Sequence, residues 1–264
     1  MTDDSLNTLP TPKRLVLSLL SAPDMSQISA RQCAQWGQLF AIDPAAMRVA
    51  LGRMVKAGLL RSARRGHYVI GSKGRVLSET ARSWISAEDR VGPWDGRWLL
   101  VHIAHLGRRD KTELRARERA LRLEGFVPMV PGLWIRPGNY REPLEATRSR
   151  MLTLGLDSDA VVLSSDKLLD GRASHSALWP REELEADYQR LTRAMQASMR
   201  SIDDLDEQAA ARETFLLGEA VIRQINSDPL LPDAMIDAKA RRKLHQTMVA
   251  YDALGRFAWA RFQN

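Results

Sequence analysis

Asp43-Pro44-Ala45-Ala46-Met47-Arg48-Val49-Ala50-Leu51-Gly52-Arg53-Met54-Val55-Lys56-Ala57-Gly58 reads as one helix with both ends marked. Asp43 offers a side-chain acceptor to the first turn, Pro44 suits the first helical position, and Gly58 stops the helix. Met47, Leu51 and Met54 recur at helical spacing and belong in a core, which turns Arg48, Gly52 and Arg53 to the opposite side. An arginine pair on a helix that fits the major groove has the chemistry to contact base edges or phosphates. The plainer reading of the same face is simple solvation.

The neighbouring segments favour the first reading. Lys13–Ala22 and Ser29–Phe40 carry apolar residues at helical spacing, and Leu59–Ser62 with His67–Ile70 reads as a hairpin. Arg64-Arg65-Gly66-His67 sets cations at its tip, where glycine permits a tight turn and the arginines can enter a minor groove or grip phosphates. A charged hairpin that merely resists edge pairing is the alternative. Lys73–Ser86 is a further helix, and Gly92-Pro93-Trp94-Asp95-Gly96 is a boundary. Residues 13–90 are therefore expected to form a winged helix-turn-helix that binds duplex DNA, preceded by a disordered arm over 1–12.

The charge distribution agrees with this. Residues 11–85 hold twelve Lys and Arg against three acids, a net of +9, whereas the whole chain carries only +7. Residues 86–264 balance 27 basic against 27 acidic side chains. The excess is confined to one segment, as a phosphate-binding footprint requires, and is not spread out as in a ribosomal or histone-like chain.

The 264 residues suffice for two or three domains, each with its own core. No apolar run approaches a spanning helix, and the polar start lacks the basic-then-apolar order of a signal peptide, so a cytoplasmic protein is expected. The single Cys33 excludes an intramolecular disulfide and a multi-thiolate metal site, and reads as a buried small hydrophobe.

Residues 97–179 alternate as strand (Trp98–Ile103), helix (Lys111–Leu123), two strands around Pro131-Gly132 (Phe126–Val130, Leu133–Arg136), helix (Tyr140–Leu154) and strand (Ala160–Ser164). That order is ferredoxin-like. Residues 180–264 read as helical throughout, with Glu182–Met199, Asp206–Asn226 and Ala240–Gln263 as the helices. The expected class is α+β and multidomain: winged helix, ferredoxin-like centre and helical C-terminal domain.

Trp94-Asp95-Gly96-Arg97-Trp98, Gly125-Phe126, Gly132-Leu133-Trp134-Ile135-Arg136-Pro137, Leu178-Trp179 and Asp228-Pro229-Leu230-Leu231-Pro232, in this order, give the chain its most specific likeness. It resembles the phenylacetic acid degradation repressor (PaaX) family of bacterial transcription regulators over nearly its whole length. It departs from that pattern at Met235-Ile236-Asp237-Ala238-Lys239-Ala240, where family members carry Trp-Pro-Gly. The resemblance implies a repressor of a catabolic operon that binds its operator as a homodimer and is released by an acyl-CoA effector, an aryl-CoA such as phenylacetyl-CoA. It also assigns DNA-binding roles to Arg48, Arg53 and Lys56 in the recognition helix and to Arg64, Arg65 and His67 in the wing.

Two clusters are candidates for the effector. Arg115, Arg119 and Arg122 share one helical face and can bind phosphates, although a solvated face balanced by Glu113, Glu118 and Glu124 is the favoured reading, since exposed helix charges mostly serve solvation. Trp94, Trp98, Trp134 and Trp179 can wall an aromatic pocket, or else serve as packing. His102 and His105 fall on a predicted strand at an offset that aims them at opposite faces, so no shared metal is expected there, and no metal site or cofactor elsewhere. No phosphate loop, nucleophile elbow or paired apolar carboxylates are present, so the chain is read as no enzyme. The rival reading is a metal-dependent nuclease built on the ferredoxin-like domain. It needs a carboxylate near the end of that domain's first strand, and none occurs before Asp110.

Overall fold

The computed structural model describes residues 8–22, 25–107, 109–168 and 176–263. The chain mixes helices with two small antiparallel sheets and divides into two compact units. The first draws on the described part of Met1–Ile85 with Leu191–Arg223 and Gln246–Asn264, the second on Ser86–Arg190 and Gln224–His245. Of the expected arm, residues 1–7 lie outside the described residues.

The first unit begins α1 (Pro12–Leu20), β1 (Ile28–Ser29), α2 (Ala30–Gln38), α3 (Pro44–Lys56), β2 (Leu60–Arg64), β3 (His67–Ile70) and α4 (Ser72–Arg82). Its sheet runs β1-β3-β2. Ser29 ends β1 and caps α2 in a reciprocal box with Gln32, which fixes where strand becomes helix. Helix α2 stops at Gln38, two residues short of expectation, and Ala41 takes the left-handed conformation that turns the chain towards α3.

The second unit carries β4 (Trp98–His102), α5 (Lys111–Leu123), β5 (Val127–Val130), β6 (Leu133–Pro137), α6 (Leu144–Leu154) and β7 (Val161–Ser165). All neighbours in its sheet, β5-β6-β4-β7, are antiparallel. Leu99, Val101 and Ile103 face one way and pack with Ala120, Leu121, Trp134 and Met151 under α5 and α6. Helix α6 begins four residues later than its sequence pattern suggests. Pro143 disfavours helical geometry in the residue before it, and Tyr140 is held in a bridge to Val91.

Three long helices follow: α7 (Arg181–Ser201), α8 (Glu207–Asn226) and α9 (Ala238–Gln263). The segment 180–264, expected as one domain, contributes to both units because its apolar faces complete other cores. Ala211, Phe215, Leu216 and Trp259 join Leu15, Trp36, Phe40 and Met47 in the first. Phe40 meets Phe215 at 4.9 Å and Trp36 meets Trp259 edge-on at 5.7 Å between ring centroids. In the second, the loop after α8 docks on Arg136 and Asn139.

Candidate nucleic-acid interface

Helix α3 is built as its sequence specifies. The Asp43 carboxylate accepts from the backbone N–H groups of Ala45 at 2.8 Å and Ala46 at 3.0 Å. Met47, Leu51 and Met54 are buried, and Arg48, Gly52, Arg53 and Lys56 are exposed on the other side. Among the described residues, none of the side chains of Arg48, Arg53 and Lys56 has a hydrogen-bond or ion-pair partner. A Cβ on Gly52 would meet nothing within 4 Å, so the backbone between the two arginines is open to a close approach.

Gly66 takes φ +73° at the hairpin tip. There the three basic side chains divide. His67 donates from Nδ1 to the Arg65 carbonyl at 3.2 Å, which leaves Nε2 to accept from the Arg64 guanidinium at 3.1 Å. His67 is thus a positioning residue that orients Arg64, and Arg65 projects as the unpartnered exposed cation. A register shift between Ser62 and Arg64 twists the hairpin at this point.

Two features of this surface escaped sequence reasoning. Lys13, on the first turn of α1, shares with Arg53 a concavity of about 560 Å³ whose wall includes Ala46, Val49 and Ala50. Arg61 and Arg75 border another, beyond Gly58. Their charge is legible in the sequence, but their nearness to α3 depends on how the helices and hairpin pack.

Of the four tryptophans expected to act together, three meet and Trp134 stands apart. Trp94 meets Trp98 edge-on at 5.1 Å and Trp98 stacks on Trp179 at 6.3 Å. Trp134 lies across the sheet, because its register partner Val101 faces the core under α5 and α6 while Trp98 points to the other side. Arg122 covers Trp134, its guanidinium 5.1 Å from the ring centroid, and Arg115 and Arg119 are exposed on α5. The supposed balance of this helix by Glu124 is overturned. Glu124 is buried and bound by Arg90 at 2.7 Å and Arg150 at 3.1 Å.

His102 and His105 are not on opposite faces, because β4 ends at His102 and the chain then turns. Asp110, the carboxylate a nuclease reading would need, accepts from the backbone N–H groups of Thr112 and Glu113 as the cap of α5. Among the described residues no group of three or more His, Cys, Asp or Glu is placed to hold a metal ion. Nor is any described helix long and apolar enough to cross a membrane.

The fold has a solved counterpart. It is similar to the structure titled Uncharacterized protein Rv0674 from Mycobacterium tuberculosis, at 23% identity and a TM-score of 0.56, over 96% of this chain and 100% of the other. No protein-family model and no curated protein matches this sequence. At that identity the likeness concerns the fold alone.

Proposed function

We propose that the protein is a DNA-binding transcriptional regulator. On this reading α1 to α3 with the β1-β3-β2 sheet form a winged helix-turn-helix, and the β5-β6-β4-β7 sheet with α5 and α6 forms a ferredoxin-like domain. The observation that carries the proposal is the set of exposed, unpartnered cations on α3 and at the hairpin tip: Arg48, Arg53, Lys56 and Arg65. Side chains held apart from any internal carboxylate remain available to phosphates and guanine edges. The local net charge of +9 supplies the sequence-independent attraction.

One such helix reads only a few base pairs, so the protein binds a pseudo-palindromic operator as a homodimer. The resemblance to the phenylacetic acid degradation repressor family supports a repressor released by an acyl-CoA effector, with the paired Trp94, Trp98 and Trp179 as its aromatic contacts. Selection of bound sequences from a random duplex pool, followed by gel-shift titration at fixed salt, tests the proposal. Recovery of a two-fold-related motif is the expected result. Binding that is equal for all sequences removes the regulator reading, and an acyl-CoA that binds free and operator-bound protein equally removes the induction reading.

A further inference from the structure

His102 and His105 have no part in the DNA-facing surface, yet the backbone brings them together with some care. The N–H of Ile103 donates to the Gly132 carbonyl at 2.7 Å, and the N–H of Leu106 donates to the Ile103 carbonyl at 3.1 Å, closing a turn over Ala104 and His105. Gly132, at φ +80°, lets the neighbouring hairpin press on that turn, since a Cβ there would stand 2.5 Å from the Ala104 Cβ. The two imidazoles end with centroids 5.1 Å apart and planes inclined by 23°, and their Nδ1 atoms are separated by 3.3 Å. His105 Nε2 lies 2.9 Å from the Asp159 carbonyl. A carbonyl only accepts, so His105 carries a proton on Nε2, and the neutral ring presents its lone pair at Nδ1.

We propose that His102 and His105 form an open two-histidine site for a divalent cation of the zinc class, bound through both Nδ1 atoms. The separation selects the geometry. Two nitrogens at about 2.0–2.1 Å from a tetrahedral ion stand roughly 3.3–3.4 Å apart, whereas cis positions of a square or octahedral site bring them to about 2.9 Å. The Asp159 carbonyl supplies the outer-shell acceptor that a metal-bound imidazole ordinarily has, fixing tautomer and ring orientation before the ion arrives.

Without metal the 3.3 Å contact is an N–H···N hydrogen bond in which His102 donates. On binding, the His102 ring passes to its other neutral tautomer, its proton moving through solvent from Nδ1 to Nε2. Both Nδ1 lone pairs then face the ion. No third ligating side chain is grouped with the pair among the described residues, so water occupies the two remaining positions.

Zinc chloride titrated into tag-free full-length protein, in competition with a chromophoric chelator and with magnesium as control, tests this site. One zinc per chain is expected, with His102→Gln and His105→Gln each weakening it by more than about tenfold. The imidazole ¹⁵N resonances of the two residues should shift at Nδ1. Equal zinc binding by wild type and both variants, or shifts confined to Nε2, overturns the proposal and leaves the pair as a hydrogen bond. His105 is exposed and His102 half-buried, and an unchanged melting temperature of the metal-free variants separates loss of the site from loss of the fold.

Discussion

Gly125 lies against Pro229 with no room for a side chain: a Cβ on Gly125 would come within 2.6 Å of the Pro229 carbonyl oxygen. Trp179 donates from Nε1 to the Gly125 carbonyl at 3.4 Å, Asn139 donates to the Leu230 carbonyl at 2.8 Å, and the Arg136 guanidinium reaches Pro229 at 3.5 Å. Arg136 is fully buried, its guanidinium carbon 3.5 Å from the ring centroid of the half-buried Tyr140. Several of the short motifs that carry the family resemblance therefore meet at one place in the second unit, held to one another by close approach and hydrogen bonds.

Replacing Gly125 by Ala should destabilise that unit by more than the same change at Gly96. Both glycines have positive φ, at +76° and +91°, but a Cβ on Gly96 meets nothing within 4 Å. Strain alone costs about 1–3 kcal/mol at each, and only Gly125 adds the clash. Urea midpoints of the two variants measure the difference, and equal midpoints would mean that Pro229 yields freely.

Asp157 should contribute to acid sensitivity. Hydrogen bonding from Arg117, at 2.6 and 3.1 Å, holds its carboxyl below the usual carboxylate range. A folded-state pKa below the unfolded one stabilises the protein above about pH 4, and that contribution is lost as the pH falls through the folded value. Asp157→Asn should flatten the acid limb of a stability profile. At neutral pH it should cost about 1–2 kcal/mol, because the buried Arg117 loses its partly exposed counter-ion but keeps an amide acceptor and the Gly107 carbonyl. An unchanged limb in the variant would remove Asp157 from the account.

On the DNA side, Arg48→Ala or Arg53→Ala should cost about 1–3 kcal/mol of operator affinity where the side chain reads a base, and should relax sequence preference. Arg65→Ala, at the hairpin tip, should weaken all sequences alike and lower the salt slope by about one. His67→Ala should do part of the same by releasing Arg64. Gel-shift titrations over a salt series distinguish these, and wild-type binding by both α3 variants would sink the assignment of that helix.

Cys33 should not react with a disulfide reagent in the folded protein. It is 1% exposed, and burial pushes its thiol up to about 12, so neither access nor thiolate is available. One equivalent should appear in denaturant, matching the single cysteine. Rapid labelling of the native protein would place Cys33 outside the core.

Much of the framework was legible in the chain itself. The limits of α3, its Asp43 cap, the glycine-tipped hairpin and the alternation of strands and helices between Trp98 and Ser165 are written in local periodicity and capping chemistry, which need only neighbours in sequence. The confinement of positive charge to residues 11–85 needs only counting. Only the tertiary structure decided that Glu124 is buried between Arg90 and Arg150, that Trp134 and Trp98 lie across a sheet from each other, that His102 meets His105, and that 180–264 is shared between two cores. These depend on strand register and on close approach of segments far apart in the chain. A helical or strand pattern says which face is apolar, but it does not say what that face will meet.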